Sequence, residues 1–294
     1  MDVGLHALGI GAGARPEVIA AVAGAAEAGG FATLWAGEHV VMVDRPVSRY
    51  PYSPDGRIAV PADADWLDPL LALSYIAAVT RTIGVATGIL LLPEHNPVLV
   101  AKQAATLDLL CRGRFTLGAG IGWSAEEFAA LGVPFARRGA RTAEYVQAIR
   151  ALWADDVASF GGEFVEFDDV RTFPKPVRDR RIPIVLGGNT DTALRRAAAV
   201  GDGWYGFNVP LADVPGRVAV LQEEARRQGR DPGELSVAVA VPEVQPGHLP
   251  ALAAAGVGEL VLVAAPPQDA AEAEDWARDL ASRWVQPARR LGPA

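Results

Sequence analysis

The feature that most constrains the fold is a strict alternation of short apolar runs with longer, alanine-rich amphipathic stretches along the whole chain. Eight apolar runs have the length of strands, and each is followed by a stretch with helical spacing. Such alternation favours a parallel sheet covered by helices, and eight repeats favour a closed barrel over a doubly wound sheet. The sequence therefore predicts an α/β fold, a (β/α)8 TIM barrel.

The element boundaries follow from the same pattern. Strands are predicted at residues 3–8, 33–36, 83–87, 115–117, 184–186, 203–207, 235–241 and 259–263. Helices are predicted at residues 16–28, 69–79, 97–110, 125–131, 137–153, 190–200, 211–228, 249–255 and 268–284. Prolines near the start and glycines just past the end support several of these helices.

Two segments interrupt the alternation. Residues 37–66 contain four prolines and two tyrosines without helical spacing, and a loop this long inside a compact domain is usually functional. Residues 155–181 include a pattern typical of a small hairpin at 159–167. We therefore expect a single domain over residues 1–294, with insertions after the second and fourth strands.

Composition excludes several classes of partner. The net charge of −8 and the pI near 5.1 argue against nucleic acid and against an anionic membrane surface. The start of the chain has no basic, apolar leader, and no apolar run approaches the length of a membrane span. The single cysteine, Cys111, fits a reducing compartment. We expect a cytoplasmic protein whose partner is a small-molecule substrate.

Two glycine-rich turns follow predicted strands. The first contains Gly118, Gly120 and Gly122 and leads into a helix, while the second is Gly187-Gly188-Asn189-Thr190. Glycine lets the backbone approach a ligand closely, and a helix start offers N–H groups to an anion. The first turn lacks the third glycine of the dinucleotide fingerprint and the lysine of a P-loop. Either turn alone is equally consistent with a tight connection that binds nothing.

Histidines are the candidate acid–base groups. His39 comes directly after the second strand, where a barrel places its catalytic residues, and Glu38 precedes it. An imidazole at this position could donate a hydrogen bond or transfer a proton near neutral pH. His6 is expected to face the barrel mouth, although an isolated histidine is more often structural. No set of residues has metal-ligand spacing, so no metal site is predicted.

Motifs spread over nearly the whole chain carry a family resemblance. They include Leu34-Trp-Ala-Gly-Glu-His39, Gly118-Ala-Gly-Ile-Gly-Trp-Ser-Ala-Glu-Glu-Phe128 and Phe173-Pro-Lys-Pro176. Together they resemble the luciferase-like flavin and deazaflavin oxidoreductase superfamily. The closer likeness is to its single-chain branch in actinobacteria, which depends on coenzyme F420.

The resemblance implies a TIM barrel that binds the cofactor across the carboxyl ends of the strands. It implies that His39 is the proton donor or a contact of the ring edge and that Glu38 orients His39 or the ring. It also implies a bulge behind the ring, which often contains a non-proline cis peptide. The implied cofactor-binding residues are Thr87, Gly88, Ile89, Gly120, Ile121, Gly122, Gly187, Gly188, Asn189 and Thr190. A basic patch to meet the anionic cofactor tail would come from Arg178, Arg180, Arg181, Arg195 and Arg196.

The function that the resemblance implies is an F420-dependent oxidoreductase transferring a hydride between deazaflavin C5 and a small organic substrate. The expected substrate pocket consists of His6, Tyr50, Tyr52, Trp66 and Trp123 under a lid of residues 37–66. Trp123 stands where sugar-phosphate dehydrogenases of the family have a catalytic glutamate, which favours a planar or hydrophobic substrate. Two alternatives remain open: an FMN-dependent monooxygenase supplied by a separate flavin reductase, and a non-enzymatic flavin-binding protein. Relatives also make a homodimer possible.

Overall fold

Eight parallel strands close into a barrel in the computed structural model, which describes residues 1–291; residues 292–294 of the predicted domain lie outside the described part. Nine strands form the main sheet, in the order β3-β2-β1-β11-β10-β9-β8-β5-β4, and a β3–β5 pairing closes it. The strands are β1 Asp2–His6, β2 Thr33–Ala36, β3 Gly84–Thr87, β4 Leu90–Leu91, β5 Phe115–Gly120, β6 Ala158–Gly161, β7 Glu166–Val170, β8 Ile184–Gly187, β9 Gly203–Gly206, β10 Ser236–Val239 and β11 Glu259–Val263. The predicted (β/α)8 TIM barrel is confirmed.

Helices cover the outside of the barrel. They are α1 Pro16–Gly29, α2 Pro69–Val79, α3 Pro97–Leu110, α4 Ala125–Ala130, α5 Arg138–Ala154, α6 Asp191–Val200, α7 Val214–Arg227, α8 Leu249–Ala254, α9 Ala270–Leu280 and α10 Gln286–Arg289. Side-chain caps begin several of them: Asp68 accepts from the N–H of Leu71 at 2.9 Å, and Asn96 from that of Val98 at 2.9 Å. No helix within residues 1–291 is long and apolar enough to cross a lipid bilayer.

The barrel interior is filled by side chains from opposite strands. Trp35 of β2 stacks on Tyr205 of β9, with ring centroids 4.7 Å apart, and the Trp35 indole N–H donates to Glu259 at 3.0 Å. Ala86, Val185 and other small residues complete this layer. The packed layer closes the barrel below its carboxyl end, so any ligand must lie above it.

The insertions lie where the sequence predicted them. Residues 37–66 contain no regular strand or helix, and we call them the 37–66 loop. In the second insertion, β6 and β7 pair antiparallel, which confirms the hairpin expected around residues 159–167.

The glycine-rich segment after residue 115 differs from the prediction. The expected strand was 115–117, followed by a turn, whereas β5 continues to Gly120. A Cβ on Gly118 would overlap the Thr87 carbonyl oxygen, and a Cβ on Gly120 would overlap the Ile89 side chain. These two glycines are therefore not turn residues. They let β5 approach the end of β3 and the residues that follow it.

Candidate active site

A cavity of about 800 Å³ opens at the carboxyl ends of the barrel strands. It brings together most of the sequence-predicted site residues: His6, Glu38, His39, Tyr50, Tyr52, Trp66, Gly88, Ile89, Ile121, Gly122, Trp123, Gly187, Gly188, Asn189 and Thr190. Thr87 and Gly120 were predicted as cofactor contacts but lie behind the lining. This is the position at which TIM barrels place their active sites.

A backbone bulge after β3 forms one wall of the cavity. The Gly88–Ile89 peptide is cis, as the resemblance implied. Thr87 is buried, and its hydroxyl donates to the Gly118 carbonyl at 2.7 Å, so it joins β3 to β5 instead of facing a ligand. The Ile89 side chain packs where Cβ atoms on Gly120 and Gly187 would be. Gly120 thus makes room for the bulge, which corrects its predicted role.

His39 is held between a carboxylate and an indole. Its Nδ1 lies 2.8 Å from Oε2 of Glu127, and the Trp123 indole N–H points to its Nε2 at 3.4 Å. Glu127 is fully buried, and its other oxygen accepts the N–H of Val40 at 2.7 Å. Because the Trp123 N–H points to Nε2, that nitrogen is an acceptor and the ring proton lies on Nδ1, towards Glu127. The ring is thus fixed on one side and has an acceptor nitrogen on the other, an arrangement suited to proton transfer.

Glu38 does not orient His39, contrary to one of its two predicted roles. Its Oε2 accepts the N–H of Leu91 at 2.5 Å, and its Oε1 lies 2.9 Å from Nε2 of His95. Burial opposes charge on His95, but the hydrogen bond and charge of Glu38 outweigh it and raise the pKa of His95. Adjacent residues of an extended segment point to opposite sides, so Glu38 and His39 acquire different partners.

Glu94 is a buried carboxyl group that the sequence analysis missed. Neither of its oxygens has a hydrogen-bond partner within the described residues. Burial, followed by the charges of Glu127 and Glu38, raises its pKa to about 9, so it is protonated at neutral pH. Its Oε1 is 3.0 Å from the position of a Cβ on Gly122, directly behind the cavity wall. Its only sequence signal was the neighbouring His95.

The turn after β8 has the features of an anion site. Gly188 has φ +111°, and Thr190 caps α6 by accepting the Ala193 N–H at 3.2 Å. Asn189 donates to the Phe207 carbonyl at 2.7 Å, which leaves its Oδ1 buried and without a partner in the described part of the chain. The start of a ten-residue helix favours an anion, and the free amide oxygen can accept from a hydroxyl.

Two arginines stand beside this turn. Arg196 of α6 and Arg138 of α5 both line the cavity. Burial and the charge of Arg138 lower the pKa of Arg196. The Arg138 Nε donates to the Gly122 carbonyl at 3.1 Å, and neither guanidinium has a carboxylate partner anywhere in residues 1–291. Two unpaired cations in one cavity wall favour an anionic ligand.

The rest of the predicted basic patch is not at this site. Arg178 and Arg181 lie at the opposite end of the barrel, where β3 and β5 begin. Arg180 pairs with Asp156 at 2.8 Å, and Arg195 with Glu224 at 3.4 Å. Arg178, Arg180 and Arg181 precede β8 and therefore lie at the end of the barrel opposite to the turn that follows this strand. Arg195 and Arg196 are neighbours on α6, but consecutive helix positions point about 100° apart.

The start of α4 holds the 37–66 loop rather than an anion. The N–H of Ala125 donates to the Ser48 hydroxyl at 3.0 Å, and Ser124 accepts the Glu127 N–H at 3.2 Å. Glu126 accepts the N–H groups of Val47 and Ser48 at 2.6 and 2.9 Å. Two of the first N–H groups of α4, those of Ala125 and Glu127, are therefore engaged within the protein.

Aromatic rings form the wall facing the bulge. Tyr50 makes edge-to-face contacts with Tyr52 and Trp123, at centroid distances of 5.4 and 5.3 Å. Phe207, which was not predicted, contacts Tyr52 at 5.6 Å. The Trp66 indole donates to the Gly37 carbonyl at 3.0 Å. These contacts bring all four predicted aromatic residues to one cavity and make it largely apolar.

Comparison with known proteins assigns the family. A model of the luciferase-like monooxygenase family matches residues 3–283, and the chain belongs to this family. It is 36% identical over 266 residues to an uncharacterised protein of Mycobacterium tuberculosis, covering 90% of this chain and 93% of that one. It is 33% identical over 176 residues to the pyrimidine monooxygenase RutA of Allorhizobium ampelinum, covering 57% and 47%.

Solved structures with the same fold include an enzyme that depends on F420 and an enzyme in complex with FMN. The coenzyme F420-dependent tetrahydromethanopterin reductase of Methanopyrus kandleri superposes with a TM-score of 0.76 at 16% identity, covering 97% of this chain and 98% of that one. A Baeyer–Villiger monooxygenase of Pseudomonas putida in complex with FMN has a TM-score of 0.63 at 18% identity, covering 86% and 70%. The family match supports an oxidoreductase of the luciferase-like monooxygenase kind, and the solved structures show the shared fold.

Proposed function

We propose that the protein is an F420-dependent oxidoreductase acting on a small organic substrate. The observation that carries this proposal is the pair of unpaired guanidinium groups, Arg138 and Arg196, beside the Gly187–Thr190 turn. F420 carries a phosphate followed by an oligoglutamate tail, whereas FMN carries one phosphate. Arg49 and Arg57 also line the cavity, and four arginines suit a ligand with several negative charges.

The residues present fit such a cofactor. The bulge at Gly88–Ile89 offers a wall for a planar ring, and the unpartnered Oδ1 of Asn189 can accept a hydroxyl of the ribityl chain. The first N–H groups of α6 and Arg196 can hold the phosphate. When bound, the deazaflavin supplies hydride transfer, and the protein supplies binding, orientation and the proton.

In this proposal His39 exchanges the proton. Glu127 fixes its ring through Nδ1, while Trp123 and Trp66 pack against the ring and exclude water from it. Glu38 holds His95 and the backbone N–H of Leu91, so it supports the bulge that backs the ring.

The test is a parallel titration of the purified protein with oxidised F420 and with FMN, followed by fluorescence. Preferential F420 binding is expected, and Arg196→Met should weaken it by about tenfold, as expected for loss of a charge-assisted hydrogen bond. Arg195→Met is the matched control, because Arg195 pairs with Glu224 and does not line the cavity. Preferential FMN binding, or equal effects of the two substitutions, would contradict the proposal.

The second candidate is an FMN-dependent monooxygenase, favoured by the likeness to RutA and to the FMN-bound monooxygenase. It predicts oxygen consumption when a separate reductase supplies reduced FMN, which the F420 proposal does not. A non-enzymatic flavin-binding protein would bind one cofactor tightly and turn over no electrophile. Activity assays on the cofactor that binds separate the three functions.

A further inference from the structure

His6 lies deep in the cavity and has a fixed hydrogen-bond partner. It is the last residue of β1, and its Nδ1 is 3.3 Å from the Tyr205 hydroxyl oxygen. Tyr205 is buried and stacked on Trp35 at an interplanar angle of 12°, which fixes its hydroxyl. The opposite edge of the His6 ring borders the 37–66 loop and the bulge: its Nε2 is 3.2 Å from the position of a Cβ on Gly37, and its Cε1 is 3.4 Å from that of a Cβ on Gly88. His39 contacts neither of these groups; the cavity therefore contains a second imidazole with its own support.

The partner of His6 determines which ring nitrogen carries the proton. Burial lowers the pKa of His6 to about 4 and raises that of Tyr205 well above its usual value, so both groups are neutral. The Tyr205 O–H needs an acceptor because buried hydroxyls are almost always hydrogen-bonded. His6 Nδ1 is its hydrogen-bond partner within residues 1–291. An imidazole that accepts at Nδ1 carries its single proton on Nε2.

That Nε2–H has no partner within the described residues, while its surroundings are apolar. The cavity is lined by Leu8, Ile10, Ile58, Val60, Phe207 and Val263. The one carboxylate in the lining, Glu38, has both oxygens engaged by Leu91 and His95. A cationic substrate group would lose its water here without gaining a free carboxylate, and the arginines of the lining are assigned to the anionic cofactor in the proposed function. A neutral oxygen, by contrast, gains a donor.

We propose that His6, held in one tautomer by Tyr205, donates a hydrogen bond to the carbonyl oxygen of an uncharged, largely apolar substrate. This rests on the proposed function, because it names the substrate class of the same site. His6 is thereby a specificity-determining residue, separate from the proton exchange assigned to His39.

The probes are cyclohex-2-en-1-one and cyclohexene, which differ in the carbonyl group. Binding is followed by quenching of tryptophan fluorescence, since Trp66 and Trp123 line the cavity, both without cofactor and with saturating oxidised F420. The native protein should bind the enone about tenfold more tightly than cyclohexene, the preference that one net hydrogen bond provides. His6→Asn keeps an acceptor for Tyr205 but has no donor at the Nε2 position, and it should abolish that preference. His6→Gln places an amide N–H near that position and should retain most of it.

Two further variants leave His6 in place and separate its donor role from a general disturbance of the cavity. Tyr205→Phe leaves His6 in place but no longer fixes its tautomer, and it should reduce the preference. Val263→Ala alters the same lining without touching a donor and should leave the enone-to-cyclohexene ratio unchanged. Equal binding of both probes to the native protein, or an unchanged preference in His6→Asn, would overturn the proposal. So would a loss of F420 affinity in His6→Asn that exceeds its loss of enone affinity, because His6 would then be a cofactor contact.

Different results would contradict the proposed function and the proposal for His6. If the protein binds the enone through His6 but not F420, the proposed function fails and the donor role of His6 remains. If it binds F420 but does not distinguish the two probes, the inference fails and the proposed function remains.

Discussion

His39 has both ring nitrogens engaged, Nδ1 by the buried Glu127 and Nε2 by the indole N–H of Trp123. The hydrogen bond from Trp123 is long, at 3.4 Å, so a substrate group can replace it without a large loss. The bond to Glu127 is short and shielded from water, and it keeps the ring in place while a proton moves. The residue therefore combines a fixed orientation with one nitrogen that can be released.

Replacing His39 by Ala should lower kcat by about a hundredfold, the contribution typical of a general acid or base. Cofactor affinity should change much less, because the phosphate and ring contacts lie elsewhere. Steady-state kinetics and the fluorescence titration measure the two quantities. His248→Ala is the control, since His248 contacts the Gln245 backbone away from the cavity. Native turnover in His39→Ala would show that His39 has no catalytic role.

Glu94 imposes a pH-dependent cost on folding. Its pKa rises from 4.5 to about 9 on folding, so the folded protein holds one more proton than the unfolded chain between these values. Stability is therefore lost as the pH rises through that window, by at most about 1.4 kcal/mol per pH unit. Below about pH 4.5 Glu94 is protonated in both states, and it no longer lowers the free energy of unfolding through its ionisation.

Glu94→Gln cannot ionise, and we expect it to stabilise the protein more at about pH 8 than at about pH 5. Thermal unfolding at the two pH values measures the difference. The exposed Glu166 of β7 provides the control, and Glu166→Gln should give the same small effect at both values. A stabilisation by Glu94→Gln that does not depend on pH would mean that Glu94 is already ionised in the folded protein.

At the scale of elements, the junction between β3 and β5 supports the bulge that forms one wall of the cavity. Gly118 faces the carbonyl of Thr87, whereas Gly120 faces the side chain of Ile89. The backbone of Thr87 cannot move aside without breaking the β3–β5 pairing, but the end of the Ile89 side chain can. The two glycines are therefore required for different reasons, the first for folding and the second for the shape of the bulge.

Gly118→Ala should destabilise the barrel by more than about 3 kcal/mol, the upper range for a core overpacking defect. Gly120→Ala should leave the unfolding transition closer to native and instead weaken cofactor binding, because Ile89 is displaced. Denaturant unfolding and the fluorescence titration compare the two variants. Equal losses of stability, or native cofactor affinity in Gly120→Ala, would contradict this division.

The elements were predictable because each carries its own local pattern, and the caps of α2 and α3 are local too, since Asp68 and Asn96 accept from N–H groups two or three residues away. The partners within the site were not. His39 and Glu127 are 88 residues apart, and nothing local distinguishes Glu127 from Glu126, which accepts from the backbone N–H of Val47 farther along the same 37–66 loop. Arg138 likewise reaches the cavity only because α5 packs beside it. Charged groups that pair across the barrel are brought together by tertiary contacts, and the local periodicity of the sequence does not indicate these contacts.

At the scale of the whole molecule, charge is distributed unevenly. The chain carries a net charge of −8, yet four arginines line the cavity mouth and wall. An acidic exterior repels polyanions in general, while a local cluster of cations attracts one that fits the cavity. This combination favours a small anionic cofactor over nucleic acid and is consistent with the expectation from composition.

The outer face of α2 is an exposed apolar surface. Its exposed positions are all apolar: Leu71, Tyr75, Ala78 and Val79. They lie on one side of the helix, and α3, which packs against α2, also has an exposed leucine, Leu99. Contiguous apolar patches on soluble domains commonly mark protein contacts. The same face on two copies can pair with itself about a two-fold axis, without any charge complementarity.

We therefore predict a homodimer through α2. Light scattering after size-exclusion chromatography should give the mass of two chains for the native protein, and Leu71→Glu should reduce it to one because the new carboxylates would be buried facing each other. Val47→Glu is the matched control, since Val47 is an exposed apolar residue on the 37–66 loop, outside the patch. It should leave the dimer intact. A monomeric native protein would contradict the predicted dimer. A dimer that persists in Leu71→Glu would show that its interface lies elsewhere than on α2.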